Sequence, residues 1–426
     1  MDFFEYRDGR LCAEDVPVER IADDVGTPCH IYSQATLTRH LNVLKEAFAE
    51  ADPLICYSVK ANSSLAILKL LAEMGSGFDI VSGGELFRVL KIGADPARVV
   101  YAGVGKTRRE IEYALESGIL MFNVESKNGL EAINAVAESL GTTAAVALRL
   151  NPDVDPRTHR HTTTGKKENK FGIDLEIAGA IVRNLDALPH IKLTGLDTHL
   201  GSPINTVDPY VEALNKVLPF LEKVRAAGHE IEYINIGGGY GIEYKGGETA
   251  TPADYAAAIM PLVKESGCRL IIEPGRFIVG NAGILLSRIT YVKESGDKTF
   301  AVCDAAMNDL IRPALYDSYH KIWPVTTDAP LSECLDARAD RNGYAAFDVV
   351  GPVCESGDFF AKGRVLPRMA EGDLLSIFSA GAYGMSMSSN YNSRPRAAEV
   401  MVSGPDYRVV RERETYDDLI RSERFD

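Results

Sequence analysis

The amino-acid sequence predicts an α/β fold, a (β/α)8 TIM-type barrel, accompanied by a second domain that is mostly β. Between about residues 50 and 285, eight short apolar runs alternate with segments that have helical spacing. Parallel strands that are each followed by a helix produce this alternation, and eight repeats close a barrel. An open doubly wound sheet is the alternative that the alternation alone leaves open. Beyond residue 285 helical segments become rare, which predicts the second domain.

The eight predicted barrel strands are short runs rich in β-branched, aromatic and other apolar residues. The segments between them carry apolar residues every three or four positions, and residues 63–75 and 209–228 each end in a glycine, as helices often do. Only residues 151–172 form a long polar connection, of a length that is usual for functional or disordered loops. In chain order, the predicted strands are residues 54–59, 78–81, 98–102, 118–124, 144–150, 191–200, 230–237 and 268–273.

The second domain is predicted from strand-like runs separated by Gly, Pro and Asp. Such runs occur at residues 284–295, 299–305 and 373–379, and residues 9–33 near the N-terminus are also short and strand-like. We therefore expect the barrel at residues 34–285. A sandwich- or barrel-like β domain is expected from residues 1–33 together with 286–426.

Composition excludes several classes of protein. The formal net charge of −14 argues against nucleic acid or an anionic membrane as a partner. No apolar run approaches the roughly 20 residues that span a bilayer, and the acidic N-terminus lacks the basic and apolar regions of a secretory signal. The seven cysteines are scattered without a C-x-x-C pair, which favours reduced thiols over disulfides or a metal site. We expect a cytoplasmic protein.

Unusual residues follow four of the predicted strands, and one more lies within another strand. Lys60 comes after the first strand, and Asp79 lies within the second. "THLGS" (198–202), "NIGGGYG" (235–241) and "IIEPGRF" (271–277) end the sixth, seventh and eighth strands. Barrel enzymes build their active sites at these strand ends, so the coincidence predicts an active site there.

Each of these residues has an ordinary explanation when taken alone. Lys60 suits a solvated loop, His199 a structural role, and Glu273 an ion pair with Arg276. The glycines at 237–241 do not form the dinucleotide motif G-x-G-x-x-G. When its first two glycines are placed at 237 and 239, the third glycine position falls on Ile242. Together they offer an amine for a Schiff base, a glycine loop beside an arginine for a phosphate, a carboxylate for a pyridine nitrogen and an imidazole for an aromatic face. Pyridoxal 5′-phosphate (PLP) needs these groups.

Motifs along almost the whole chain resemble the fold type III PLP-dependent decarboxylases, and among them the diaminopimelate decarboxylase family. The motifs occur in the family's order. They are "YSVKANS" (57–63), "FDIVSGGEL" (78–86), "KFGI" (170–173), "HLGS" (199–202), "GGGYG" (237–241), "EPGR" (273–276), "RPALY" (312–316), "GPVCESGD" (351–358) and "GAYGMSMSSNYNSRPRAAEV" (381–400).

The resemblance implies roles for residues around the cofactor. Lys60 would carry PLP covalently, His199 would stack on its ring, and Glu273 would pair with the ring nitrogen. A carboxylate at that nitrogen stabilises the protonated ring, which is a strong electron sink. An arginine there would favour the weaker electron sink that racemases of this fold use. The remaining cofactor contacts implied by the resemblance are Asp79, Ser202, Gly237, Gly238, Gly239, Gly275, Arg276 and Tyr383.

The resemblance also implies a substrate clamp and a shared active site. Cys354 matches the family's proton donor, and the clamp would contain Arg276, Arg312, Tyr316, Glu355 and Tyr383. The family forms head-to-tail homodimers. Cys354 and Glu355 would then reach the active site of the partner subunit.

The expected activity is the decarboxylation of meso-2,6-diaminopimelate to L-lysine and CO2, the last step of lysine biosynthesis. Arginines can bind the distal carboxylate of this substrate, whereas ornithine-type enzymes need an acidic clamp, so Arg312 speaks against them. A decarboxylase of ornithine, arginine or carboxynorspermidine remains an alternative. A non-catalytic PLP-binding homologue is a further one, although it would be expected to lack Lys60 or Cys354, and both are present.

Overall fold

The computed structural model describes residues 2–155, 170–247, 249–334 and 342–425. Most of the predicted polar loop, residues 156–169, lies outside the described residues. The chain divides into two compact units. The β unit comprises Met1–Arg39, Glu243–Gly247 and Ile278–Asp426, and the barrel unit comprises His40–Ile242 and Glu248–Phe277. The domain boundaries at residues 34 and 285 stay a prediction.

The barrel unit contains a closed ring of eight parallel strands. Each strand pairs with the next in the chain, and the eighth pairs with the first through Ile271 opposite Leu54. This closure confirms the predicted barrel and excludes the open doubly wound sheet. The strands are Leu54–Ser58, Gly77–Ile80, Val99–Tyr101, Met121–Val124, Ala144–Asn151, Ile191–Asp197, Tyr233–Asn235 and Arg269–Ile272, and a short strand Ile173–Asp174 pairs with the fifth.

Helices connect successive barrel strands as the spacing predicts. The last connecting helix shows the local reasons: Thr251 and Asp254 form a capping box, and Gly267 ends the helix in a left-handed conformation. The helices are Gln34–Ala47, Leu65–Glu73, Gly83–Lys91, Arg108–Ser117, Lys127–Ser139, Leu175–Arg183, Asp208–Ala226, Pro252–Ser266 and Arg276–Val279, with 3-10 turns at Ala49–Ala51, Val59–Ala61, Pro96–Arg98 and Leu185–Ala187.

A cluster of apolar residues fills part of the barrel interior. Residues two positions apart on a strand share a face. Cys56, Met121, Tyr233 and Ile271 belong to this cluster, and the residues two positions later on the same chain segments are Ser58, Asn123, Asn235 and Glu273. An apolar layer is thus followed by a polar layer toward the carboxyl ends of the strands.

The β unit is built on a nine-stranded mixed sheet and a small three-stranded sheet. Its core contains the protein's single tryptophan, Trp323, which is fully buried. The large sheet contains Cys29–Ser33, Gly283–Ser295, Lys298–Cys303, Ile322–Pro324, Tyr344–Val350, Phe359–Pro367, Leu374–Ile377, Ala398–Ser403 and Asp406–Arg411, and the small sheet contains Phe4–Arg7, Arg10–Ala13 and Val16–Pro17. Its helices are Val18–Val25, Arg312–Tyr316 and Tyr416–Ile420, with 3-10 turns at Leu331–Cys334, Met385–Met387 and Tyr391–Ser393.

The N-terminal segment differs from the sequence expectation at one helix. Residues 9–33 contain the strands Arg10–Ala13, Val16–Pro17 and Cys29–Ser33, as expected, but Val18–Val25 forms a helix between them. Val18, Ile21 and Ala22 are its buried residues, and this spacing of three and four places them on one helical face. Among the described residues, no helix is both long and apolar enough to cross a membrane.

Candidate active site

Lys60 stands at the carboxyl end of the first barrel strand and forms an ion pair with Asp79. The strand ends at Ser58, and the 3-10 turn Val59–Ala61 carries the lysine. Its Nζ lies 2.5 Å from Oδ2 of Asp79, which is fully buried in the second strand. The same Oδ2 accepts a hydrogen bond from Ser58 Oγ at 2.7 Å. The structure thus holds a lysine amine against a buried acceptor, in place of the solvated loop lysine that Lys60 alone suggested.

Glu273 follows the eighth strand, and two amide side chains donate to one of its oxygens. Asn123 Nδ2 lies 3.0 Å and Asn235 Nδ2 lies 2.6 Å from Oε1 of Glu273. The Glu273 side chain is buried, with 5% of the residue exposed. Burial raises its pKa well above the ordinary value, and the nearby carboxylates of Asp79 and Asp197 raise it further. The ion pair with Arg276 considered from the sequence is not among the contacts of the described residues.

A second group of charges lies in the barrel beside these residues. Arg149 Nη1 lies 3.1 Å from Glu125 Oε2, and Arg149 Nε lies 4.0 Å from Asp197 Oδ2. Burial raises the pKa of Asp197 to about 7, against the opposite effect of Arg149. Lys106 donates to the backbone oxygens of Gly103 and Asn123, each at 2.8 Å, and burial lowers its pKa to about 8.

The glycine loop after the seventh strand packs too closely for any side chain. A Cβ on Gly238 would lie 2.0 Å from the carbonyl oxygen of Glu273, and one on Gly239, where φ is +104°, would lie 2.2 Å from that of Gly201. The N–H of Gly237 donates to Asn235 Oδ1 at 2.8 Å, and the N–H of Gly238 donates to His199 Nδ1 at 3.1 Å. Two of the predicted phosphate-binding amides are therefore engaged by side chains of the barrel.

His199 follows the sixth strand and is half-buried. Burial lowers its pKa well below the ordinary value, and the positive charges of Arg149 and Lys60 lower it further. Because Nδ1 accepts the Gly238 N–H, the neutral ring carries its proton on Nε2. A neutral imidazole is the form suited to lie against an aromatic ring.

Arg276 and its neighbours complete the predicted residues of the barrel unit. The buried Arg276 donates from Nε to Ser202 Oγ at 3.2 Å. Gly275 lies against the first strand end, where an added Cβ would approach the Cβ atoms of Ser58 and Ala61 at 3.0 and 3.1 Å. The sequence-predicted residues of the sixth and eighth strand ends thus meet in a direct contact.

The residues of the barrel unit fit PLP. Lys60 supplies an amine, and the buried Glu273 supplies a carboxyl group whose Oε2 accepts no hydrogen bond from the described residues. The glycine loop and Arg276 supply the close backbone and the positive charge that a phosphate requires. None of the described His, Cys, Asp and Glu residues form a cluster suited to a metal ion.

The β unit holds Arg312 in a defined orientation. His320 is fully buried, and its Nε2 accepts from Arg312 Nη1 at 2.9 Å while its Nδ1 contacts the carbonyl oxygen of Phe378 at 2.8 Å. The donor in the second contact is Nδ1, because a carbonyl oxygen only accepts. The guanidinium of Arg312 also lies 5.0 Å from the ring centroid of Tyr244. These contacts fix an arginine whose role the sequence predicted.

The other predicted residues of the β unit are more accessible. Cys354 and Glu355 are exposed in a turn, where the backbone N–H of Cys354 donates to Asn392 Oδ1 at 2.8 Å. Tyr316 is half-buried at the end of its helix. Tyr383 is half-buried and has a φ of +58°, a left-handed conformation that is uncommon for a residue with a side chain.

Sequence reasoning missed Asn123, Asn235 and His320. A signal for the two asparagines exists, since each lies two positions after an apolar residue of the barrel interior and therefore faces inward. His320 had no such signal, because its contacts with Arg312 and Phe378 join segments 8 and 58 residues apart.

Comparison with known proteins identifies the family. Residues 25–280 match the family model described as pyridoxal-dependent decarboxylase, pyridoxal binding domain. A diaminopimelate decarboxylase of Pseudomonas aeruginosa is 46% identical over 426 residues, covering 99% of each chain. The chain belongs to the diaminopimelate decarboxylase family. One of Neisseria meningitidis serogroup A is 47% identical over 415 residues, with 97% of this chain and 98% of that relative covered.

Solved structures of diaminopimelate decarboxylases have the same fold. The Helicobacter pylori protein in complex with L-lysine has a TM-score of 0.89 at 39% identity, with 95% of this chain and 99% of that chain covered. The M. jannaschii protein in complex with L-lysine has a TM-score of 0.92 at 36% identity, with coverages of 100% and 98%. The present chain is therefore a PLP-dependent decarboxylase, as the motifs predict.

Proposed function

We propose that the protein decarboxylates meso-2,6-diaminopimelate to L-lysine and CO2 with PLP as cofactor, the last step of lysine biosynthesis. The observation that carries this proposal is the ion pair of Lys60 with the buried Asp79, beside the amide-bound Glu273, in a chain of this family. When bound, PLP supplies an electron sink for the electron pair that CO2 leaves behind.

The barrel residues divide the cofactor chemistry among them. A lysine amine attacks a carbonyl carbon only after losing a proton, and Asp79 Oδ2, at 2.5 Å, is placed to accept it. Glu273 would pair with the ring nitrogen, and His199 would lie against the ring. Ser202, Gly237, Gly238, Gly239, Gly275 and Arg276 would surround the phosphate, although the N–H groups of Gly237 and Gly238 already donate to Asn235 and His199.

Substrate recognition is assigned to residues of both charges. Diaminopimelate carries a carboxylate and an ammonium at its distal end, which suit the arginines Arg276 and Arg312 and the carboxylate of Glu355. The contacts of Arg312 with His320 and Tyr244 support this assignment, because a preoriented guanidinium loses less entropy on binding. Tyr316 and Tyr383 complete the clamp.

The proposal extends to the assembly and its location. Cys354 returns a proton to the α-carbon after CO2 leaves, which requires an accessible thiol, and Cys354 is exposed. We propose a head-to-tail homodimer in which each subunit supplies Cys354 and Glu355 to the partner's active site. All seven cysteines are free thiols, which supports a cytoplasmic location.

The test is CO2 release from four candidate substrates: diaminopimelate, ornithine, arginine and lysine. We expect release from diaminopimelate alone, and none from it would refute the proposal.

The cofactor anchor is tested separately. Lys60→Ala should remove the visible absorbance of bound PLP, because no other amine replaces the one beside Asp79. Lys69→Ala is the matched control: Lys69 lies on the following helix, where it pairs with Glu73, and this variant should keep the absorbance. Retained covalent PLP in Lys60→Ala would refute the anchor assignment.

A further inference from the structure

The two amides that contact Glu273 converge on the same carboxyl oxygen. Asn123 Nδ2 and Asn235 Nδ2 both donate to Oε1, at 3.0 and 2.6 Å, and no donor among the described residues reaches Oε2. A carboxyl oxygen that accepts two N–H donors is not the oxygen that carries the proton. In a neutral acid it is the carbonyl oxygen, and in a carboxylate it is the oxygen with more hydrogen bonds. Oε2 is therefore the oxygen on which Glu273 gains or loses a proton.

Asn123 has no evident structural reason to be polar. It is fully buried, and its Oδ1 has no hydrogen-bond partner among the described residues. A buried polar atom without a partner is destabilising, and an apolar residue at this position of the strand would avoid that penalty. The hydrogen bond to Glu273 is the contact that the side chain of Asn123 does make.

The backbone and the neighbouring loop hold both amides in place. Lys106 Nζ donates to the carbonyl oxygen of Asn123 at 2.8 Å, which fixes the strand at this point. Asn235 accepts from Gly237 through Oδ1 while it donates to Glu273 through Nδ2. A rotation of Asn235 would break both contacts, so the glycine loop determines which of its atoms faces Glu273.

We propose that Asn123 and Asn235 are positioning residues that assign Oε1 of Glu273 to the protein and reserve Oε2 for the proton shared with the ring nitrogen of PLP. This inference rests on the proposed pairing of Glu273 with that nitrogen. Without the two amides, either carboxyl oxygen of Glu273 could take the proton. The carboxylate form of Glu273 would also lose the two hydrogen bonds that stabilise its charge.

The experiment follows the ring nitrogen directly by 15N magnetic resonance of holoenzyme reconstituted with 15N-labelled PLP. The parent protein should show a protonated ring nitrogen. Asn123→Leu should shift the signal toward the unprotonated position and weaken PLP binding about tenfold, the effect of losing one hydrogen bond to a charged group. Asn235→Asp keeps an acceptor for Gly237 and replaces the donor by a like charge, so its shift should be larger.

Stability separates this role from a structural one. Asn123→Leu should unfold at the same temperature as the parent or higher when both lack the cofactor, since it removes the unpartnered Oδ1. The matched control is Thr194→Val on the sixth strand, whose hydroxyl is also buried but contacts Val146 and Met121. It should leave the 15N signal and the PLP affinity unchanged.

Each outcome decides between the two proposals. An unprotonated ring nitrogen in the parent itself would overturn the pairing with Glu273 on which the inference rests. A protonated parent with an unchanged signal and affinity in Asn123→Leu would overturn the inference alone. Loss of folding in Asn123→Leu would also overturn it, because the amide would then be structural.

Discussion

Replacing Asp197 by asparagine should stabilise the protein at neutral and alkaline pH. Asp197 ends the sixth barrel strand with 1% of the residue exposed, and its Oδ1 has no hydrogen-bond partner among the described residues. Its Oδ2 has only a distant ion pair with Arg149, at 4.0 Å. Burial is therefore the main influence on the carboxyl group, and it raises the pKa from 3.8 to about 7.

The sign and size of the effect follow from this pKa. The folded protein keeps the proton at pH values where the unfolded chain has lost it, so the stability contributed by Asp197 is fully present below 3.8 and is lost as the pH rises through about 7. The difference between the two pKa values corresponds to about 4 kcal/mol at most. Asparagine does not titrate, so Asp197→Asn should match the parent at about pH 4 and exceed its free energy of unfolding by up to about 4 kcal/mol at about pH 8.

Urea denaturation of the cofactor-free protein measures this difference. Far-ultraviolet circular dichroism is the suitable signal, because the helices of the barrel unit dominate it and the only tryptophan, Trp323, belongs to the β unit. Asp186→Asn makes the same chemical change at an exposed position of the barrel unit and should show no pH-dependent difference. An equal effect of Asp197→Asn at both pH values would refute the reasoning, since the folded state would then hold no proton on Asp197.

Three further substitutions test other parts of the structure. Cys354→Ala should keep bound PLP and lose most turnover, measured by absorbance and CO2 release, because the exposed thiol is the proposed proton donor. His320→Leu should raise the Kd for L-lysine about tenfold in calorimetry, because Arg312 loses the acceptor that orients it. Arg149→Met should cost about 3–5 kcal/mol in urea denaturation, because Glu125 and Asp197 stay buried without their cation.

Matched variants distinguish these effects from general damage. Cys268→Ala should keep turnover, His320→Gln should restore L-lysine binding through its side-chain oxygen, and Arg183→Met, at an exposed helix position, should change stability little. Normal turnover in Cys354→Ala would contradict the proton-donor role. Unchanged L-lysine affinity in His320→Leu would contradict the orienting role of His320. Unchanged L-lysine affinity in Arg312→Ala would contradict the proposed role of Arg312 in substrate binding.

The barrel was predictable because its signal is local. Each strand is a short apolar run and each helix has its own periodicity, so no contact between distant residues was needed to count eight repeats. The closeness of Lys60 and Asp79 was predictable because strand ends meet in a closed parallel barrel. Their roles, and that of Glu273, stay predictions. The helix Val18–Val25 was missed because its apolar residues were assessed as strand-like, although their spacing of three and four is helical.

The electrostatics of the site were not predictable, because they depend on contacts between strands far apart in sequence. Asn123 and Glu273 are 150 residues apart, and Asn235 and Glu273 are 38 apart. From the sequence, Glu273 had only Arg276 as an evident partner. The structure replaces that ion pair by two neutral amides, which stabilise a charge without neutralising it.

This replacement follows from the charge balance of the barrel interior. In one group of described residues there, four carboxyl groups accompany three cations, and this excess of carboxyl groups favours an additional proton. The raised pKa values of Glu273 and Asp197 show where such a proton can reside. A cation beside Glu273 would favour its charged form, whereas neutral amides leave the pKa of Glu273 raised by burial and by the neighbouring carboxylates. The groups in this balance are Asp79, Glu125, Asp197 and Glu273 against Lys60, Lys106 and Arg149.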